Sequence, residues 1–104
     1  MKISSNFDSG NIKVIEATDP LNIQLEINKD HQSEFYQWFH FRLETTPYQL
    51  HQLNINNLDK SAYPDGWVDY QAVASYDRQT WFRVPSSYEN GTLTFELEPE
   101  CSSV

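Results

Sequence analysis

The sequence predicts an all-β fold, an antiparallel β-sandwich of about seven to eight strands. Three observations carry that prediction. Short runs alternate apolar with polar residues, turn residues recur at roughly 8 to 12-residue intervals, and no stretch keeps a helical apolar period. A chain of 104 residues supports one domain that buries on the order of two-thirds of its unfolded surface, so 1–104 is read as a single sandwich.

Met1 to Asn11 is rich in Ser, Asn, Asp and Gly and reads as an irregular lead-in closing at a Ser9-Gly10-Asn11 turn. Ile12 to Ala17 is a short strand, interrupted by Asp19-Pro20 because proline fixes its own φ and disfavours the helical region for its predecessor. Leu21, Ile23, Leu25 and Ile27 then alternate with Asn22, Gln24, Glu26 and Asn28, the pattern of a strand with one buried face. Asn28-Lys29-Asp30 turns it into an antiparallel hairpin with the stretch Glu34 to Glu44.

That stretch, EFYQWFHFRLE, is the densest aromatic block and reads as the central strand. Phe35, Phe39, Phe41 and Leu43 take one face and Tyr36, Trp38, His40 and Arg42 the other. Aromatic side chains bury roughly 150–250 Å² each. The Phe face is therefore core, and the amphipathic face is suited to meet a second surface. Tyr48 to Asn56 is a further strand whose apolar parity changes after Leu50, which a β-bulge near His51 and Gln52 would reconcile.

Asn56 to Gly66 is the longest turn-rich segment and ends in a Pro64-Asp65-Gly66 turn. Val68, Tyr70, Ala72, Ala74 and Tyr76 share one parity of the next strand, with the small alanines set to pack closely against Phe39 and Phe41. Asp77-Arg78-Gln79 turns the chain into Thr80 to Val84, Pro85 stops it, and Ser86 to Gly91 reads as a loop. Leu93, Phe95 and Leu97 mark the last clear strand. The chain then looks cut, which would leave the sandwich short of its final strand or strands and one edge unpaired.

Composition narrows the function classes. With 38% hydrophobic and 14% aromatic residues the chain is globular rather than disordered. Seven basic against 15 acidic residues, a net charge of −8, repels polyphosphate, so neither nucleic acid nor an anionic membrane is expected as a partner. No stretch approaches the roughly 18 apolar residues of a membrane span. One cysteine, Cys101, and an amino terminus without an apolar secretion region point to a cytoplasmic setting. Asn90-Gly91-Thr92 matches a glycosylation acceptor but is better read as a turn.

QWFHFRLE at Gln37 to Glu44, with FDSGNI at Phe7 to Ile12 and NLDKSAYPDGW at Asn57 to Trp67, resembles the amino-terminal domain of cytosolic carboxypeptidase-like zinc metallocarboxypeptidases. The resemblance implies a β-sandwich whose parent enzyme removes carboxy-terminal residues from peptides or proteins, glutamate-rich tails among them. It also implies a zinc-bearing catalytic domain that follows the sandwich and is absent from these residues. The expected role of the chain is non-catalytic: to brace that domain, its partner, and to shape access of peptide or protein tails to the cleft.

No residue here is assigned a catalytic or metal-binding role. His31 and Glu34 spell the HxxE of a zinc pair, but they sit in a turn entering a strand, where alternation sends neighbours to opposite faces, and catalytic zinc needs three protein ligands on a fixed frame. His40 and His51 have no carboxylate in a recognisable setting. There is no GxSxG elbow, three glycines cannot build a phosphate cradle, and Asp65 with Asp69 fits turn and strand-start positions. Trp38, Arg42, Tyr63, Asp65 and Trp67 are the candidates for an interdomain or binding surface, since aromatic and Arg anchors are enriched in buried contacts. The alternative is a free-standing carbohydrate- or peptide-binding module using Trp and Tyr, Trp81 among them. That module requires two aromatic rings facing solvent in one groove, whereas the brace requires an apolar patch contiguous with the chain's end.

Overall fold

The computed structural model describes residues 1–7, 10–28, 39–58, 67, 68 and 70–104. Among them are nine strands and no α-helix: β1 (Lys2–Ser4), β2 (Lys13–Glu16), β3 (Ile23–Glu26), β4 (Arg42–Glu44), β5 (His51–Ile55), β6 (Ala72–Ala74), β7 (Phe82–Val84), β8 (Ser86–Glu89) and β9 (Thr92–Leu97). The all-β sandwich expected from the sequence is what forms. Its larger sheet has the order β2-β3-β5-β9-β8, and opposite it stand the pairs β1-β4 and β6-β7.

Alternation places the core. Ile23 and Leu25 of β3, Leu53 and Ile55 of β5, and Leu93 and Phe95 of β9 are all buried on the inner face, where they meet Ala72, Val84 and Trp67 with Phe39 and Phe41 packed alongside. Each such aliphatic side chain contributes about 1.5–3 kcal/mol of burial. The same alternation turns Gln24, Asn54 and Thr94 to the outer face in one cross-strand row. Asn54 is held from both neighbouring strands: Thr94 Oγ1–H donates to Asn54 Oδ1 (2.9 Å) and Asn54 Nδ2–H donates to the Ile23 carbonyl (3.0 Å).

Several sequence expectations are corrected. β3 does not form a hairpin with the aromatic stretch. It pairs antiparallel with β2 and parallel with β5, and a parallel pair needs a crossover, which residues 27–50 supply. Within the stretch read as the central strand, the described residues form a strand only at Arg42–Glu44, in the smaller sheet beside β1; 34–38 lie outside the described residues.

The bulge predicted at His51 and Gln52 is absent, for β5 pairs residue by residue with β9. Leu50 precedes the strand and is exposed, so the apparent change of parity never enters the ladder. The irregularity falls in β2, between Val14 and Glu16. Nor is Ser86 to Gly91 a loop: Ser86–Glu89 is β8, joined to β9 by a two-residue turn at Asn90 (φ 54°) and Gly91 (φ 80°). Two successive positive φ values match the twist of a tight hairpin.

The carboxy-terminal stretch is paired. Leu43 and Val104 exchange both backbone hydrogen bonds (2.7 and 2.9 Å), and Thr45 N–H donates to the Ser102 carbonyl (2.9 Å). Residues 102–104 thus extend the β1-β4 pair on β4's second side.

Candidate functional site

Between β4 with its carboxy-terminal neighbour and the β6-β7 hairpin lies a groove of about 810 Å³. Its floor is the aromatic centre of the core. The Phe39 ring stacks on Trp67 (6.0 Å, 24°) and on Phe95 (6.0 Å, 12°), while Tyr70 meets Trp67 edge-on at 4.9 Å. Such pairs contribute about 0.5–1.5 kcal/mol beyond burial alone. Burial pushes the Tyr70 phenol above its ordinary value.

The rim is built from three elements. Phe7 meets the His40 ring edge-on at 4.9 Å, Trp81 approaches the same ring at 6.0 Å, and the Arg78 guanidinium sits 5.2 Å over Phe7. Burial, and then the neighbouring Arg78 charge, hold the His40 imidazole below its usual value. A second corner is formed by Arg42, whose Nε–H donates to Ser103 Oγ (2.7 Å) and lies 3.8 Å from Glu44.

The hairpin turn that carries Arg78 is held by Asp77. Its Oδ1 accepts from the backbone N–H groups of Gln79 and Thr80 (2.8 and 2.9 Å) and from the Ser75 hydroxyl (3.0 Å). This fixes Arg78 at φ 64°. Those bonds, the Thr80 one foremost, hold the carboxyl below the usual Asp range. Tyr76 ties the hairpin to the tail by accepting the Glu100 backbone N–H at 2.9 Å.

Two of the five surface candidates are described. Arg42 is exposed and lines the groove. Trp67 is 2% exposed, beneath the groove rather than on its rim. Trp38, Tyr63 and Asp65 lie outside the described residues, as do His31 and Glu34. The groove's exposed rings are instead Trp81 (46%) and Tyr76 (38%). Phe7 and Val104, which sequence reasoning did not single out, also line it. Phe7 opens the FDSGNI motif that carries the family resemblance, but nothing in that motif marks it as a groove residue.

Chemically the groove offers aromatic faces, two guanidinium groups and backbone edges. Among the described residues no three His, Cys, Asp or Glu side chains converge to hold a metal. His51 is spent on structure, with Nε2 2.9 Å from Thr45 Oγ1 and Nδ1 2.7 Å from the Gln49 carbonyl.

The family model described as the cytosolic carboxypeptidase N-terminal domain matches residues 3–104. The chain belongs to that family. As an N-terminal domain of this kind it is 51% identical to a metallo-carboxypeptidase from Pseudomonas aeruginosa, solved in complex with (2-guanidinoethylmercapto)succinic acid. The superposition has a TM-score of 0.96 and covers 99% of this chain and 28% of that one. A metallo-carboxypeptidase from Burkholderia cenocepacia is 43% identical, with a TM-score of 0.94 over 98% of this chain and 27% of its own. An uncharacterized protein of Zymomonas mobilis is 46% identical over 99 residues, which are 95% of this chain and 26% of the relative. The N-terminal domain thus spans about a quarter of the relatives it matches.

Proposed function

We propose that this chain is the non-catalytic amino-terminal sandwich of a zinc-dependent metallocarboxypeptidase that removes carboxy-terminal residues from peptides or proteins in the cytoplasm. It braces the catalytic domain that follows and shapes access to the cleft. The observation that carries this reading is the groove itself: an aromatic-floored surface that runs to Val104, the last residue matched to the family's N-terminal domain. Arg42 and Trp81 are its exposed anchors, and Trp38, Tyr63 and Asp65 remain candidates for the same joint.

Zinc belongs, on this reading, to the catalytic domain, where it supplies a Lewis acid and an activated water. The described residues here do not fit a zinc centre, and no step is assigned to them. The description of the matched family as cytosolic supports the choice of compartment. The test is thermal unfolding of the longer enzyme with and without 1–104. A catalytic domain that melts several degrees lower alone supports the brace, and an unchanged midpoint counts against it.

A second reading has one observation in its favour. Trp81 and Tyr76 both face solvent in one groove, the arrangement that a free-standing sugar- or peptide-binding module needs. Titration of Trp81 fluorescence with oligosaccharides and with acidic peptides separates the two, since a brace shows no saturable change.

A further inference from the structure

The backbone around β4 shows which edge of the domain is still open. In an extended strand successive residues point their N–H and C=O groups to opposite sides. His40 exchanges both backbone hydrogen bonds with Asn11, and Arg42 and Glu44 stand opposite Ser4 and Lys2 of β1. The even-numbered residues therefore face β1. Leu43 and Thr45 face the other way, to Val104 and Ser102. Phe41 shares their parity, and among the described residues its N–H and C=O have no backbone partner.

Residues 102–104 run antiparallel to β4 in strict register, so their direction carries any following residue along Arg42 and then Phe41. The same residues open onto the groove, whose opposite wall is β6, a strand that among the described residues pairs only with β7. The relatives carry the chain well past this point, since the domain covers 27% and 28% of the two solved chains.

From this we infer that the open edge at Phe41 is the seat of the polypeptide that follows this domain in a longer chain. The tail strand continues by β-addition, with the first residue beyond Val104 opposite Arg42 and the second exchanging backbone hydrogen bonds with Phe41. The register also fixes side-chain character. Leu43 is buried and Phe41 packs on the core, so the second added residue points into the groove and is apolar. The first lies beside exposed Arg42 and is polar. The inference rests on the reading that a further domain follows, and it adds the surface and the register.

The test is amide hydrogen exchange by NMR. It compares the chain ending at Val104 with the same chain extended by the segment that follows the matched region in the Pseudomonas aeruginosa metallo-carboxypeptidase. The Phe41 amide is expected to slow by at least ~100-fold on extension, joining the protected Leu43 amide. Phe41 exchanging near its intrinsic rate in the extended chain, while Leu43 stays protected, overturns the inference. Should the shorter chain not fold, a cross-strand Hα–Hα contact between Arg42 and the first added residue of the extended chain decides alone: its presence supports the register and its absence overturns it. A separately supplied catalytic domain that binds the extended chain while Phe41 still exchanges fast overturns the strand register and leaves the brace standing.

Discussion

His51 is anchored by half-buried Thr45: the imidazole is fully enclosed, its Nε2 lies 2.9 Å from the threonine hydroxyl, and its Nδ1 lies 2.7 Å from the Gln49 carbonyl. A carbonyl can only accept, so Nδ1 carries the hydrogen on that side. Thr45→Val keeps the shape and removes the hydroxyl, which leaves a buried ring nitrogen without a partner. Such a group costs about 1–3 kcal/mol. Urea unfolding is expected to show that loss with an unchanged slope, and no loss would mean that the ring finds another partner.

His51 also shows what could be read without coordinates. In sequence it is a histidine with no carboxylate near it, and its role depends on Thr45 and Gln49 curling back beneath β5, a loop geometry that no periodicity encodes. Strands such as β3 and β9, with strict alternation and one wet face, were legible because burial on one side dictates the pattern directly. β8 was not, since SSYE carries no apolar alternation; its signal was the Asn90-Gly91 turn, which by itself calls for a strand on both sides. The parallel pairing of β3 with β5 was equally hidden, because pairing partners are chosen by the crossover and not by the strand's own residues. The groove was half legible. Its aromatic content was evident in the composition, but which rings face solvent depends on packing, and Trp67 and Trp81 read alike in sequence.

Gly10 has no room for a side chain. A Cβ there would collide with the Ser5 carbonyl oxygen and lie 2.8 Å from the Ser5 carbonyl carbon, both backbone atoms that cannot rotate away. Gly10→Ala must therefore displace the turn that sets Phe7 against His40 and joins Asn11 to it. Overpacking of this sort costs about 1–3 kcal/mol. A lowered unfolding midpoint, with loss of the Phe7–His40 ring-current shift by NMR, is the expected pair of results; unchanged shifts would show that the turn relaxes without moving Phe7.

Acid should weaken the groove rim in two separate windows. The folded His40 imidazole titrates below its ordinary value of 6.5 because burial, then Arg78, disfavours the charged form. The unfolded chain then binds the proton more readily, so this contribution is present above pH 6.5 and is lost as pH falls through the folded value. Asp77 is also depressed, from 3.8, by hydrogen bonds from Thr80, Gln79 and Ser75. Its contribution holds above the unfolded value and disappears at still lower pH. Stability measured against pH should lose its upper limb in His40→Phe and its lower limb in Asp77→Asn. Profiles that overlay the parent in both limbs would rule these two groups out.

Trp67 and Trp81 allow the core and the rim to be told apart by substitution. Trp67 is enclosed among Phe39 and Tyr70, so Trp67→Ala removes a large buried ring and leaves a cavity under the groove, at a cost of about 3–5 kcal/mol. A domain of this size has only about 5–15 kcal/mol in total, and the variant should be unfolded or nearly so in mild denaturant. Trp81 is 46% exposed and meets His40 by one edge; Trp81→Ala should cost about 1 kcal/mol or less in the isolated domain. If Trp81 anchors the proposed joint, the order of interest reverses in the longer chain, because such a ring is worth more once the neighbour is in place. Thermal unfolding of Trp81→Ala in both contexts is the measurement. A larger loss in the longer enzyme than in the isolated domain marks Trp81 as part of the joint, and equal losses would return it to the role of an ordinary surface aromatic.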